Sequence, residues 1–160
     1  MAGVTLTITE TTEEVQKAFA KVLRRLKNLK PAMKIIGETV RTSIVRNFEE
    51  SGRPEKWAPL SPTTLKRRKG KNTAPLIVKG FAGGMVGSIN YRAGDDWVIV
   101  GTNKIQAAVH QFGAKKGEFG TTSRGAPIPW GDIPARPFMM VQDEDWTEIA
   151  DAINDYLAAQ

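Results

Sequence analysis

The feature that most constrains the fold is a pair of helical hydrophobic patterns that follow one another in the first third of the chain. The first begins where Thr11 and Glu14 match a capping box, which satisfies two backbone N–H groups at a helix start. The second begins with Pro31, suited to a first helical turn, and ends where Gly52 follows Phe48. The patterns predict two amphipathic helices, either separate or joined as one long helix kinked at the proline. Their apolar positions are Val15, Phe19, Val22, Leu23, Leu26 and Leu29, then Met33, Ile36, Val40, Ile44 and Phe48.

A β-hairpin is predicted in the middle of the chain. Residues 88–92 and 97–101 are rich in strand-favouring side chains, and the Gly-Asp-Asp of residues 94–96 favours a turn between them. Before the hairpin, Ser61 and Pro62 favour the start of a short helix.

A third long helix is predicted at the C-terminal end, starting at Asp143 as its capping residue. Residues 105–112 fit either a short helix or a strand, and the prolines of residues 133–138 favour extended backbone. These elements predict an α+β fold: two N-terminal helices and a C-terminal helix packed on a small, mainly antiparallel sheet, with long mobile loops. The apolar side of the last helix is formed by Trp146, Ile149, Ile153 and Leu157.

We expect a single domain over residues 1–160, because a chain of 160 residues with 41% hydrophobic content suits one core better than two. Residues 1–10 alternate apolar and threonine side chains, so this segment is either a short strand or an arm. Residues 66–74 and 114–131 are rich in glycine, threonine and charge, and we predict that both are mobile loops.

The composition limits the classes of function. The formal charge of +6 favours acidic partners. The absence of cysteine excludes disulfides, thiolate metal sites and a cysteine nucleophile. The start of the chain lacks the pattern of a secretory signal, and no run of about 18 apolar residues occurs, so we expect no membrane partner.

His110 is the only histidine, so any histidine-dependent catalytic or metal site would have to include it. Triads and histidine-assisted metal sites need partners in fixed geometry, whereas the carboxylates here are scattered over predicted helix surfaces. We therefore expect no catalytic residue, no metal ligand and no cofactor. The prediction for His110 is a hydrogen-bonded side chain at the edge of the core, beside Phe112.

A dense basic cluster consists of Lys66, Arg67, Arg68, Lys69 and Lys71. Such a cluster either contacts phosphates of nucleic acid, with a strong dependence on salt, or is a solvated or protein-contacting loop. The second interpretation is favoured, because no helix-turn-helix, zinc finger or aromatic-interleaved strand accompanies the cluster.

The C-terminal segment has the opposite charge. From Asp143 to Asp155 it carries six carboxylates and no basic residue. Head-to-tail contacts in a symmetric ring join two different patches of neighbouring subunits, so this asymmetry would steer assembly. The alternative is an ordinary solvated helix face.

Three segments in order carry a family resemblance. They are Phe48–Thr64, with the string FEESGRPEKWAPLSPTT, Ala107–Gly113, with AAVHQFG, and Ile133–Phe138, with IPARPF. In this series the chain resembles the phage virion morphogenesis and tail completion proteins of Mu-like and P2-like phages.

The motif residues that we expect to be structural have physical roles. Gly52 breaks the second helix, Trp57 packs back on the core, and Arg136, on a stiff segment, presents its guanidinium to a carboxylate of its own chain or of a neighbour. The complete set is Phe48, Gly52, Pro54, Trp57, Pro59, His110, Phe112, Gly113, Pro134, Arg136, Pro137 and Phe138.

The resemblance implies a structural protein without catalytic activity, which completes the tail or joins the tail to the head. Its partners would be further copies of itself, in a homo-oligomer such as a ring, and other tail or neck proteins. It would be a virion component assembled in the cytoplasm of the bacterial host. Nucleic acid is the less favoured partner, through the basic cluster at residues 66–71.

Overall fold

The computed structural model describes residues 13–69, 73–77 and 84–158. These residues form five α-helices, one short 3-10 helix at Val86–Ser88 and one β-hairpin, so the predicted α+β class is confirmed. The strand or arm predicted for residues 1–10 lies outside the described residues. The elements are α1 (Glu13–Leu26), α2 (Lys30–Glu49), α3 (Pro62–Arg67), β1 (Asn90–Ala93), β2 (Val98–Gly101), α4 (Ala107–Phe112) and α5 (Asp143–Ala158).

Helix α2 is the centre of the molecule, and it packs against both strands and against α5. Its predicted apolar stripe faces the core: Ile44 and Phe48 are buried, and the partly buried Val40 packs against them. Gly37 allows the ring of Tyr91 on β1 to approach the helix closely, since a methyl group at that position would overlap the ring. The chain therefore folds around α2.

The hairpin forms where the sequence predicts it. The antiparallel register pairs Asn90 with Gly101 and Ala93 with Val98, and the turn is closed by a 2.8 Å hydrogen bond from the Gly94 N–H to the Trp97 carbonyl. In the stretch that follows, residues 107–112 adopt a helix, so the alternative between helix and strand is settled in favour of α4.

The core combines aromatic and aliphatic side chains, with Phe48 in contact with two other rings. The rings of Phe48 and Trp57 meet edge to face at 5.6 Å, and Phe48 lies 5.1 Å from Phe138. Such contacts add to the stabilisation that comes from buried area alone. The buried cluster consists of Ile44, Phe48, Trp57, Leu76, Ile77, Met85, Val86, Ile89 and Phe138.

Helix α5 begins at Asp143, but the side chain that bonds at its start is that of Asp145. The buried Asp145 carboxylate accepts a hydrogen bond of 2.6 Å from the backbone N–H of Gln142 and another from the Ser43 hydroxyl. The buried face follows Asp145 and Ile149, so Trp146, predicted on the apolar side, lies 61% exposed on the flank. Relative to the prediction, α5 is thus rotated about its own axis, with the buried Asp145 bonded to Ser43 of α2.

Helix α1 has no buried residue. In the described part of the chain it contacts the end of α5, where the Arg25 guanidinium donates to the Leu157 carbonyl at 2.8 Å. Just after α1, the Asn28 carbonyl accepts from the Tyr156 hydroxyl at 2.8 Å. Of the three long helices, α2 is thus the one that packs on both strands. Helix α5 packs on α2, and α1 packs on α5.

The long loop after α4 folds back on itself. Ala114 and Ile133 exchange backbone hydrogen bonds of 2.9 and 2.8 Å, and Phe119 donates to the Ile128 carbonyl at 2.8 Å. Mobility of residues 114–131 stays a prediction, as does that of residues 66–74, of which 70–72 lie outside the described part. None of the described helices is long and apolar enough to cross a membrane.

Candidate functional site

Arg136 joins the three motif segments at one point. Its side chain donates from Nε to the Ala58 carbonyl at 2.9 Å and from Nη2 to the Pro59 carbonyl at 3.1 Å, and its backbone N–H donates to the His110 carbonyl at 2.7 Å. The residue is 5% exposed. Burial, and after it the charge of Arg68, lowers the pKa of Arg136.

The acceptors of Arg136 correct the sequence prediction of a carboxylate partner. The extended segment that holds Arg136 runs beside residues 57–59, which belong to no helix or strand, so their carbonyl oxygens are available to accept from a side chain. A planar guanidinium satisfies two such oxygens at once. Arg136 therefore holds the chain's own backbone together.

The aromatic motif residues lie on both sides of the same junction. The Trp57 indole N–H donates to the Pro137 carbonyl at 3.0 Å, while Trp57, Phe48 and Phe138 are buried in the core. Phe112 is different: it is 79% exposed, so the expected structural role in the core beside His110 is wrong for this side chain. Helix α4 has six residues and none of them is fully buried, so Phe112 at its last position faces solvent.

Two amide side chains that the sequence analysis missed fix the Phe138 backbone. The Gln111 side-chain oxygen accepts hydrogen bonds from the N–H groups of Phe138 and Met139, both at 3.0 Å. From the other side, Asn47 donates to the carbonyls of Phe138 at 2.9 Å and Met140 at 3.2 Å. Asn47 could have been recognised from the sequence, because it is a polar residue inside the apolar stripe of α2.

Arg53, also missed, takes the carboxylate-binding role predicted for Arg136. It donates to Asn47 Oδ1 at 2.8 Å, to the Ser43 carbonyl at 3.0 Å and to Glu144 at 2.8 Å. The buried Asp145 lies 3.7 Å away. These contacts join α2, the turn after it and α5. In the sequence, the only indication of this role is the position of Arg53 between the helix-breaking Gly52 and Pro54.

The motif glycines are required by close backbone approach. Gly52 has φ 113° and Gly113 has φ 78°, a region that side chains disfavour. A Cβ at Gly113 would lie 2.8 Å from the Ile133 carbonyl oxygen and 2.9 Å from the Ala135 nitrogen. Gly113 therefore lets α4 end directly against the segment of Pro134 and Arg136.

His110 lines a cleft of about 700 Å³ beside this junction. Burial, and after it the charge of Arg136, lowers the pKa of His110. Its Nδ1 atom is buried without a hydrogen-bond partner in the described part of the chain, which differs from the predicted bonded side chain. The Ser61 hydroxyl that also lines the cleft caps α3 by accepting from the Thr64 N–H at 3.3 Å. Its contacts do not form a nucleophile–base pair with His110.

The basic cluster is divided by the structure. Lys66, Arg67 and Lys69 are exposed at the end of α3, whereas Arg68 turns inward and donates to the carbonyls of Ala74 at 2.9 Å and Ile77 at 3.3 Å. Lys71 lies outside the described residues. Within the described part of the chain, a phosphate-contacting surface here would thus use Lys66, Arg67 and Lys69 but not Arg68.

Comparison with known proteins identifies the family. The chain belongs to the phage virion morphogenesis family, which it matches over residues 10–158. It is therefore a phage protein with a structural role in morphogenesis, and the family resemblance of the sequence is confirmed.

Two relatives come from Mu-like phages. The chain is 33% identical over 144 residues to the Mu-like prophage FluMu G protein 2 of Haemophilus influenzae, covering 90% of this chain and 89% of the relative. It is 30% identical over 129 residues to the putative capsid assembly protein G of Escherichia phage Mu, covering 79% and 78%. No solved structure matches the chain.

Proposed function

We propose that this protein completes the phage tail or joins the tail to the head, through protein–protein contacts and without catalysis. Its membership of a virion morphogenesis family supports the proposal, and so does the name of the phage Mu relative, a putative capsid assembly protein. In this proposal the protein acts as a homo-oligomer, such as a ring, bound to other tail or neck proteins. It is assembled into the virion in the host cytoplasm.

The observation that carries the proposal is the large number of apolar side chains that remain exposed. Residues of all three motifs bond to one another inside the molecule, whereas many large apolar side chains remain on the surface. On α1 these side chains share one helix face, and an apolar patch of that kind is typical of protein–protein contact sites. The exposed set includes Val15, Phe19, Leu23, Leu26, Ile99, Ile105, Phe112, Phe119, Trp130 and Trp146.

Deletion of the gene from an inducible phage tests the proposal. Electron micrographs of the lysate should show filled heads and tails that are not joined, because the connecting component is missing. Adding the purified protein to that lysate should restore plaque-forming particles. Joined and infectious particles in the deletion lysate would contradict the proposal.

The second candidate function is nucleic-acid binding through the exposed cations Lys66, Arg67 and Lys69. If it holds, affinity for duplex DNA falls steeply with salt, and replacing these three residues with glutamine removes most of it. Lys115, Lys116 and Arg124, exposed elsewhere on the surface, provide the matched control for loss of three positive charges. Equal loss in both variants would mean that binding is only a general effect of net charge.

A further inference from the structure

The turn of the β-hairpin, residues 94–97, carries acidic and aromatic side chains on the surface, and we call it the acidic turn. Asp95 and Asp96 are exposed, and Trp97 is 47% exposed. The Trp97 indole lies against Gly94, where a Cβ would overlap the ring, so its position is already fixed. Tryptophan is enriched among the residues that dominate binding energy at interfaces.

The cleft of about 700 Å³ beside the motif junction has the opposite charge. Arg68, Lys104 and Arg136 line it. Of its described lining residues only Asp132 is acidic, and this carboxylate already accepts from the Lys116 N–H at 2.8 Å. Burial, and after it the charge of Arg68, lowers the pKa of Arg136, so cations lie near one another here. The cleft therefore favours a negatively charged occupant.

The cleft also offers apolar contacts, so an occupant that combines a carboxylate with an apolar group suits it. The acidic turn has both groups side by side. The ion pairs of the described residues include none of Asp95, Asp96 and Lys104, so these charges are still available. The size is also suitable, because ligand pockets in proteins measure roughly 300–1,000 Å³. The apolar lining residues are Leu60, Leu76, Met85 and Ile133.

The acidic turn and the cleft lie at opposite ends of the hairpin. Met85 precedes β1 and Lys104 follows β2, at the open end, where the Ser88 and Thr102 hydroxyls bond at 2.6 Å. Each strand has four residues, which at about 3.3 Å per residue separate this end from the turn by roughly 13 Å. The acidic turn is therefore directed away from the cleft of its own chain and is free to enter that of another copy.

We propose that the acidic turn of one copy inserts into the cleft of a neighbouring copy, with Asp95 and Asp96 facing the cations and Trp97 against the apolar walls. The proposal rests on the self-assembly in the proposed function and identifies its interface. Because the two surfaces differ, each copy binds one neighbour with its turn and another with its cleft. A head-to-tail contact of this kind forms a ring where its rotation closes.

Charge reversal tests the contact from both sides. The turn variant carries Asp95→Lys and Asp96→Lys, and the cleft variant carries Lys104→Glu and Gln106→Glu. All four side chains are at least partly exposed, so the core around α2 should remain folded, as circular dichroism will check. Light scattering behind size exclusion, over a concentration series, should show a multimer for the wild type. Each variant should need at least about tenfold more protein to associate, because like charges then face each other.

Matched charge reversals elsewhere provide the controls. Asp151→Lys with Asp155→Lys on α5 changes the charge as the turn variant does, and Lys34→Glu with Thr42→Glu on α2 matches the cleft variant. These positions are exposed, so both controls should associate like the wild type. A control that loses association as fully as its matched variant would overturn the proposal, because net charge or another surface would then govern assembly.

A chain with all four changes of the turn and cleft variants restores opposite charges, with lysines on the turn and glutamates at the cleft. Its association should return toward the concentration range of the wild type. If it associates no better than the turn and cleft variants, the turn of one copy does not face the cleft of the next, and the proposal is overturned.

The remaining outcomes distinguish this inference from the proposed function. A wild-type multimer that the turn and cleft variants retain unchanged would overturn only the docking, and would mean that assembly uses another surface. A wild-type chain that stays monomeric at every concentration would overturn the docking together with the self-assembly on which it rests.

Discussion

Helices α1 and α2 follow one another in the chain and each was predicted from a stripe of apolar residues, yet they differ in burial. Helix α2 buries Ile44, Asn47 and Phe48 and contacts the hairpin and α5, while α1 buries nothing. A hydrophobic stripe thus records that a helix needs a partner surface, but not that the partner belongs to the same chain. The predictions below test this difference, from the largest effect to the smallest.

Phe138→Ala should destabilise the protein by about 4 kcal/mol, because it removes a fully buried ring and leaves a cavity beside Phe48. Phe19→Ala, the matched change on α1, should alter the free energy of unfolding by less than about 0.5 kcal/mol. Denaturant unfolding of both variants, at concentrations that keep the chain monomeric, measures the contrast. Equal effects would mean that α1 is packed within one chain.

Arg53→Met should cost about 3 kcal/mol, because it removes the cation beside the buried Asp145 carboxylate and breaks bonds to Asn47 and Ser43. Arg25→Met provides the comparison on α1, where one hydrogen bond to Leu157 is lost. Urea unfolding curves should place the two variants far apart. If the Arg53 variant unfolds with the wild type, the network between α2 and α5 contributes little.

Gln111→Ala should cost about 2 kcal/mol, because it leaves the N–H groups of Phe138 and Met139 without their acceptor. Those amides should also exchange with deuterium faster than in the wild type, while amides on β1 keep their rates. Unchanged exchange at Phe138 and Met139 would show that another acceptor replaces Gln111.

His110 predicts a small dependence of stability on pH. Its pKa is lowered in the folded state, so below about 6.5 the unfolded chain takes up a proton that the folded chain does not. The free energy of unfolding should therefore fall as the pH drops from 7 toward the folded pKa. His110→Gln should show a shallower fall, since the carboxylates titrate alike in both proteins. Parallel profiles would contradict the burial of this imidazole.

At the junction of the three motifs, the sequence predicted the family but not the bonding partners of the side chains. The order of three short segments identified the family, and Trp57 and Phe138 were expected to pack structurally. Arg136 was expected to bind a carboxylate but binds carbonyls, and the contacts of Arg53, Gln111 and Asn47 were not predicted from the sequence. A residue type tells how many donors a side chain has, but its partners depend on which backbone oxygens the fold leaves unpaired beside it.

Periodicity, proline and turn chemistry by themselves determined the location of α2, the short helix α3, the hairpin and α5, because these are properties of neighbouring residues. The tertiary structure alone decided which stripes are covered, which side of α5 is buried and why Phe112 lies in solvent. Burial depends on contacts between segments far apart in the chain, and the local pattern that forms a helix contains no record of them.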